Sequence, residues 1–318
     1  MKPIASVSLD LDNRWSYLKT HGDTSWESFP SYLDLVVPLA LDMLRERNLT
    51  ITFFIVGQDA AIESNGAVLR SIADAGHEIG NHSFHHLPWL HLYTEQEIDD
   101  ELRRADEAIE RATGRRPIGF RGPGFSLSPA TLEVLKNLGY SFDATTLPTW
   151  IGPLARAYYF RTAELDEESS GRRKKLFGTV RDVVRPIKPY TWDLGGGRLT
   201  EIPVTTMPFF RVPIHLSYVL YLSLYSPLLA RTYFRCALWL CRVAGVAPSI
   251  LMHPLDFLGG DEVPDLGFFP AMRTEGARKR ERVAGYLDLF QRWFRVESIG
   301  AHARESEARG LRVRRFDR

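Results

Sequence analysis

The sequence predicts an α/β fold, either a barrel or a doubly wound parallel sheet. Three observations carry this. Seven short apolar, strand-like segments alternate with stretches of helical periodicity. Repeated strand–helix units imply parallel strands with right-handed crossovers. The residues suited to chemistry also fall at or just after strand ends, where both architectures gather their sites.

Taken in order, residues 4–9 form a buried strand ending in Asp10-Leu11-Asp12, and residues 32–47 a helix. Residues 50–56 (TITFFIV) are rich in β-branched and aromatic side chains and form the second strand. Residues 60–75 are a helix closed by Gly76, and 77–81 (HEIGN) a short third strand. The helix over 94–113 opens on Thr94 and Glu97, the spacing of a capping box, and ends at Gly114. Residues 118–121 are the fourth strand. The helix over 128–138 has Pro129 in its first turn and Gly139 beyond its end. Residues 141–145, 200–205 and 249–253 are the fifth to seventh strands, and 273–294 a last long helix. One domain over residues 1–300 accounts for this pattern, followed by a polar tail over 301–318.

The composition is that of an ordinary globular chain: 318 residues, 44% hydrophobic, 25% charged, net charge +1. That balance argues against a nucleic-acid-coating surface. The two cysteines, Cys236 and Cys241, lie on different faces of an apparent helix, which excludes a disulfide framework and points to a reducing compartment. The first residues contain no apolar run of signal-peptide length, so a cytoplasmic location is expected.

Two segments depart from the repeat. Residues 151–197 read as a long insertion, with Asp166-Glu167-Glu168, then Arg172-Arg173-Lys174-Lys175, then glycines at 195–197. Within an apolar helical region over 206–246, residues 212–230 contain no Asp, Glu, Lys or Arg. That length is near the lower limit for a membrane span. Pro213, His215, Pro227 and three tyrosines suit a membrane interface better, and a buried helix is the third reading.

Asp10-Leu11-Asp12 puts two carboxylates on one face of a strand, about 6.5–7 Å apart. Such a pair is either capping and solvated or chemical; glycosyltransferases use D-x-D to hold a metal-bound sugar nucleotide. In His82-Ser83-Phe84-His85-His86, a helical turn would make His82 and His86 neighbours on one face, able to share a divalent cation, with His85 pointing elsewhere. Two His and one Asp form a three-ligand site with open positions, which suits catalysis. Arg121-Gly122-Pro123-Gly124-Phe125 follows a strand. It is either a turn that needs Gly and Pro, or an Arg held against a carboxylate with bare backbone N–H groups facing an oxyanion. His253 ends the last strand, as a structural group or as a proton donor.

In this order, Asp10/Asp12, GHEIGNHSFHH at 76–86, RGPGF at 121–125 and LMHP at 251–254 resemble the successive motifs of the polysaccharide deacetylases, the NodB-homology carbohydrate esterases. The resemblance covers residues 4–145 well and 200–257 more loosely. It implies a distorted (β/α)7 barrel and one divalent metal ion, Zn2+ first, with Co2+, Mn2+ or Ni2+ as alternatives. It implies Asp12, His82 and His86 as metal ligands and Asp10 as general base. Arg121 would orient Asp10, His253 would be the general acid, and the Gly124 N–H would help hold the oxyanion. The family supports its acid with an Asp and a Trp, for which Asp143, Trp150, Trp192, Asp193 and Asp256 are the candidates. D-x-D replaces the adjacent aspartates of many members, and Gly124 stands where an aromatic is common.

The implied activity is removal of an N-acetyl or N-formyl group from an amino sugar, with no nucleic-acid partner. Glu201-Ile202-Pro203-Val204-Thr205 followed by Met207-Pro208 resembles a stretch of bacterial deformylases that act on polyprenyl-phosphate-linked amino-arabinose. With the apolar 212–230 segment, this raises the expectation of a lipid-linked substrate and peripheral contact with the cytoplasmic membrane face. A soluble or polymeric glycan is the alternative substrate. A D-x-D glycosyltransferase would leave His82, His86 and His253 without a task, and the intact set speaks against a non-catalytic carbohydrate-binding protein.

Overall fold

A computed structural model of the protein describes residues 2–151 and 184–316. Seven strands form a ring of parallel neighbours. They are β1 (Ile4–Leu11), β2 (Thr52–Ile55), β3 (Glu78–Asn81), β4 (Gly119–Phe120), β5 (Phe142–Asp143), β7 (Arg198–Glu201) and β8 (Ser249–Met252). The hydrogen-bonded path runs β7-β5-β4-β3-β2-β1-β8. Its two ends meet just beyond β7, where Thr205 N donates to Ser249 O at 3.0 Å and Ser249 N donates to Thr205 Oγ1 at 2.8 Å. This is the seven-stranded barrel. β6 (Tyr190–Asp193) forms an antiparallel hairpin with β7 outside the ring, so residues 190–197 belong to the sheet rather than to an insertion. The charged runs at 166–168 and 172–175 lie outside the described residues.

The helices that cover the ring follow the sequence pattern. α2 (Leu33–Glu46) buries Leu33, Val36, Val37, Ala40 and Leu44, the spacing of one helical face. α4 (Gly66–Asp74) turns Leu69 and Ile72 to the same core. α5 (Glu95–Thr113) carries the expected box: the Thr94 side chain accepts from Glu97 N, and Glu97 answers Thr94 N. α6 (Pro129–Asn137) begins on its proline after a Ser128 cap. The short helices α1 (Arg14–His21) and α3 (Gly57–Ala61) follow β1 and β2.

The apolar region 206–246 is a helical hairpin, α7 (Leu216–Tyr225) and α8 (Pro227–Ala244), broken at Ser226-Pro227. Pro227 cannot donate to the preceding turn, so one continuous span does not form. Among the described residues no helix is long and apolar enough to cross a membrane. α9 (Gly276–Trp293) follows, then β9 (Arg295–Glu297) beside the start of β1.

The expected tail is folded into the barrel's underside. α10 (Ile299–Ala308) buries Ile299, His302, Ala303 and Ser306, and β10 (Arg312–Arg314) pairs with β6. Ile299 N donates to Thr52 Oγ1 and Gly300 N to Glu78 Oε1, both at 2.8 Å. His302 Nδ1 meets Ser6 Oγ at 3.0 Å, and Thr200 donates to Glu307. Side chains of β1, β2, β3 and β7 thus bind one helix, which plugs the N-terminal mouth. The opposite mouth, at the carboxyl ends of the strands, is left for the site.

Candidate metal centre and acid arm

β1 delivers Asp10 and Asp12, both buried, to the open mouth. Their neighbours differ. Asp10 Oδ1 accepts a 2.8 Å hydrogen bond from Arg121 Nη1. Arg121 follows β4 and is fully buried. It also donates to Ser8 Oγ at 2.8 Å and Ala144 O at 2.9 Å, and lies over the Phe54 ring. Removing a partner from a buried pair of this kind costs about 3–5 kcal/mol, because it strands the other charge.

Asp12 instead faces two imidazoles. Its Oδ1 stands 3.3 Å from His82 Nε2 and 3.0 Å from His86 Nε2, and the three ligand atoms lie within 4.8 Å of one another. Tyr17 donates to its other oxygen at 3.2 Å, and Tyr32 to its backbone carbonyl at 2.5 Å.

Residues 82–86 do not turn helically. Ser83 and His86 both adopt left-handed backbone, with φ of 61° and 53°. Glu101, on α5, takes the loop's amides: its carboxylate accepts from Phe84 N at 3.0 Å and His85 N at 2.6 Å, and meets His85 Nδ1 at 2.7 Å. These N–H groups are therefore not available to a helix. His82 and His86 converge because the loop curls, and His85 is turned away onto Glu101.

The three-residue cluster fits a divalent ion. His82 Nδ1 lies 2.6 Å from Arg121 O. A carbonyl only accepts, so Nδ1 carries the proton and the Nε2 lone pair points toward Asp12. Asp12 Oδ1 is buried with no hydrogen-bond partner. Two lone-pair atoms this close repel unless positive charge lies between them. A tetrahedral ion about 2.0–2.1 Å from each donor would set the donors about 3.3 Å apart, close to the two separations given. The electrostatics agree. Burial alone would push the Asp12 carboxyl up, but His86 and His82 hold it well below its ordinary value. Burial opposes a charge on His82, yet Asp10 and Asp12 raise its pKa. The pocket favours positive charge.

His253, the expected proton donor, approaches from the next strand. Leu9 of β1 pairs with Met252 of β8, so His253 leaves its strand beside Asp10. Its backbone N–H donates to Asp256 Oδ2 and its Nδ1 meets Ser217 Oγ, both at 2.9 Å. Ser217 lies in the first turn of α7. Asp256 is buried, which raises its pKa against the pull of His253. Behind it, buried Lys279 donates to Leu255 O at 2.8 Å and Leu258 O at 2.7 Å; burial lowers its pKa to about 8. Of the five candidate supports, Asp256 alone has a hydrogen bond to His253. Asp143 accepts from Thr145, Trp192 donates to Glu201, Asp193 pairs with Arg315, and Trp150 donates to Phe210 O. Gly124 sits in the turn Pro123–Phe125 with φ of 58°, where a Cβ would come 2.9 Å from Pro88.

Sequence reasoning missed Glu101 and Ser217. Glu101 had a signal: it occupies an apolar stripe with Ile98, Leu102 and Ala105, where a carboxylate needs an explanation. Ser217 had none, since nothing in an apolar helix names the loop it will face.

Comparison with known proteins agrees with this geometry. Residues 23–142 match the family model described as polysaccharide deacetylase. A peptidoglycan-N-acetylmuramic acid deacetylase of Bacillus subtilis is 36% identical over 104 residues, 32% of this chain and 38% of that protein. A peptidoglycan deacetylase of Helicobacter pylori is 30% identical over 167 residues, 51% of this chain and 54% of that protein. The chain thus spans about half or less of these relatives. A solved structure from Mycobacterium smegmatis, assigned as a polysaccharide deacetylase, covers 100% of this chain and 94% of its own at 23% identity, with a TM-score of 0.66. That match establishes a shared fold.

Proposed function

We propose that the chain is a member of the polysaccharide deacetylase family, whose model its residues 23–142 match, and a metal-dependent hydrolase that removes an N-acyl group from an amino sugar. The observation that carries this is the convergence of Asp12, His82 and His86 beside a second aspartate, Asp10, whose Oδ1 is held by Arg121 and whose Oδ2 stands 3.9 Å from His82 Nε2. Zn2+ suits the two-imidazole, one-carboxylate donor set. When bound, such an ion supplies Lewis acidity that polarises an amide carbonyl and eases the ionisation of water.

The remaining work belongs to the chain. Asp10 takes the proton of the attacking water. Arg121 keeps that carboxylate fixed, so its free oxygen rather than its geometry changes during turnover. His253 gives a proton to the departing nitrogen, since an amine anion is not a viable leaving group. Ser217 steadies the imidazole, and the Asp256 carboxylate holds the backbone N–H of His253. In this reading the oxyanion is held in part by the Gly124 backbone.

The finer reading is an N-acetyl or N-formyl amino sugar carried on a lipid. It is supported by the EIPVTTMP stretch and by the apolar hairpin that begins at the acid arm. A setting inside the cell is supported by two free cysteines, Cys236 exposed and Cys241 buried. The test is amine release from a panel of N-acyl amino sugars, free and lipid-linked. Turnover is expected to stop with chelator and return with Zn2+. Asp10→Asn should lower it by about 10²–10⁴-fold. Chelator-insensitive turnover, or release that survives Asp10→Asn, would overturn the assignment.

A further inference from the structure

We infer that the outer face of the α7–α8 hairpin docks the protein on an anionic lipid surface. This deepens the lipid-linked reading above, because it names how a membrane-held substrate would meet the site. Between Glu201 and Asp256 the chain carries no Asp, Glu or Lys and four Arg, in a chain whose whole net charge is +1. Among the described residues the same stretch holds most of the exposed large apolar side chains: Phe209, Phe210, Tyr221, Tyr225, Leu228, Leu229, Trp239 and Val243. Three of them, Phe209, Tyr225 and Leu228, are 73–75% exposed.

They are arranged, not scattered. On α8, helical periodicity puts Leu228, Trp239 and Val243 within an arc of about 60°. Arg231, Arg235 and Arg242 flank the arc on one side and are exposed with it. The inner face of the same helix buries Ala230, Phe234, Ala237, Leu238 and Cys241 in the core. α8 is therefore apolar on both faces, with its cations along the edge of the outer one. That is the pattern of a helix lying in a membrane interface, with aliphatic and Trp side chains inserted and Arg at headgroup level.

Charge selects the occupant. A second copy docked face to face would set these arginines against their own equivalents, with no acid among residues 202–255 to pair them. An anionic headgroup layer meets them with opposite charge. The face is also tied to the chemistry, since the first turn of α7 holds Ser217 against His253 and its last turn carries Tyr221 and Tyr225.

The experiment is sedimentation of the full chain with vesicles of phosphatidylcholine alone and with added phosphatidylglycerol. Binding is expected to the anionic vesicles and to weaken in high salt. Replacing Arg231, Arg235 and Arg242 by Gln should weaken it by at least about tenfold, and L228S/W239S/V243S should do the same at unchanged melting temperature. Amine release from a soluble N-acyl sugar should be unaltered by either set, which separates failure of docking from failure of the hydrolase assignment. A parent protein that stays in the supernatant with anionic vesicles would overturn the inference. So would a dimer in solution that the triple serine variant dissolves.

Discussion

The two sides of the site are built differently. The metal side gathers residues at the ends of β1, β3 and β4, as far as 111 positions apart, and most of its parts lie in the buried interior. Arg121 is fully buried, and Asp10, Asp12 and His82 are buried with it. The acid side is made by a serine on one element meeting a histidine 36 positions later, on a hairpin whose other face is open to solvent. On the metal side Asp10, Asp12 and His82 are each fixed by a buried hydrogen bond with another element. The acid side depends on where α7 is seated. Substitutions around the ligands should therefore act on metal affinity and stability together. Those around His253 should act on turnover and its pH dependence while leaving the metal in place.

The largest departure is expected at Glu101. Glu101→Gln keeps the shape but gives up the charge that holds two amides and His85. An outer partner of a ligand loop is worth about 10–100-fold in metal affinity, and calorimetric titration with Zn2+ would read it. An unchanged affinity would show that the loop curls without Glu101, and the contrast between the two sides would weaken. The next is Ser217→Ala. Turnover should fall by about tenfold, the net worth of one charge-assisted hydrogen bond, with Zn2+ affinity unchanged and the basic limb of the kcat profile displaced. Ser217→Thr, which keeps the hydroxyl, should restore the profile. A loss of metal in the alanine variant would contradict independent sides.

The smallest effect at neutral pH is expected at the barrel floor. Burial lowers the His302 pKa from 6.5 to about 4. The folded state then resists a proton that the unfolded chain accepts. His302 is without penalty above pH 6.5, and stability is lost as pH falls from 6.5 toward 4, up to about 3 kcal/mol. His302→Gln should flatten that limb in urea titrations at several pH values, with activity at neutral pH unchanged. A variant that follows the parent's acid limb would show that other groups govern it.

The same division explains what could be read from the chain. Strand ends, the D-x-D pair and the HSFHH cluster were legible because strand alternation and residue chemistry act over a few positions. The route by which His82 and His86 meet was not. Two left-handed residues and a carboxylate 15 positions beyond His86 replace the helical turn that spacing alone suggests. The ring closure through Thr205 and Ser249 was hidden because a single backbone contact leaves no periodic signature. Residues 301–318 looked like a polar tail because they carry six Arg and three acids. Yet Ile299, His302, Ala303 and Ser306 fall at i, i+3, i+4 and i+7, and that narrow stripe suffices to seat the helix under the barrel. The apolar hairpin was recognisable as unusual, but the break at Ser226-Pro227 decides its form.

The most direct measurement is the metal content of the chain, by elemental analysis after equilibration with Zn2+ and removal of free ion. The account predicts one equivalent per chain, retained in Asp10→Asn and lost in His82→Ala. Less than stoichiometric metal in the parent, or a full equivalent that survives His82→Ala, would contradict it.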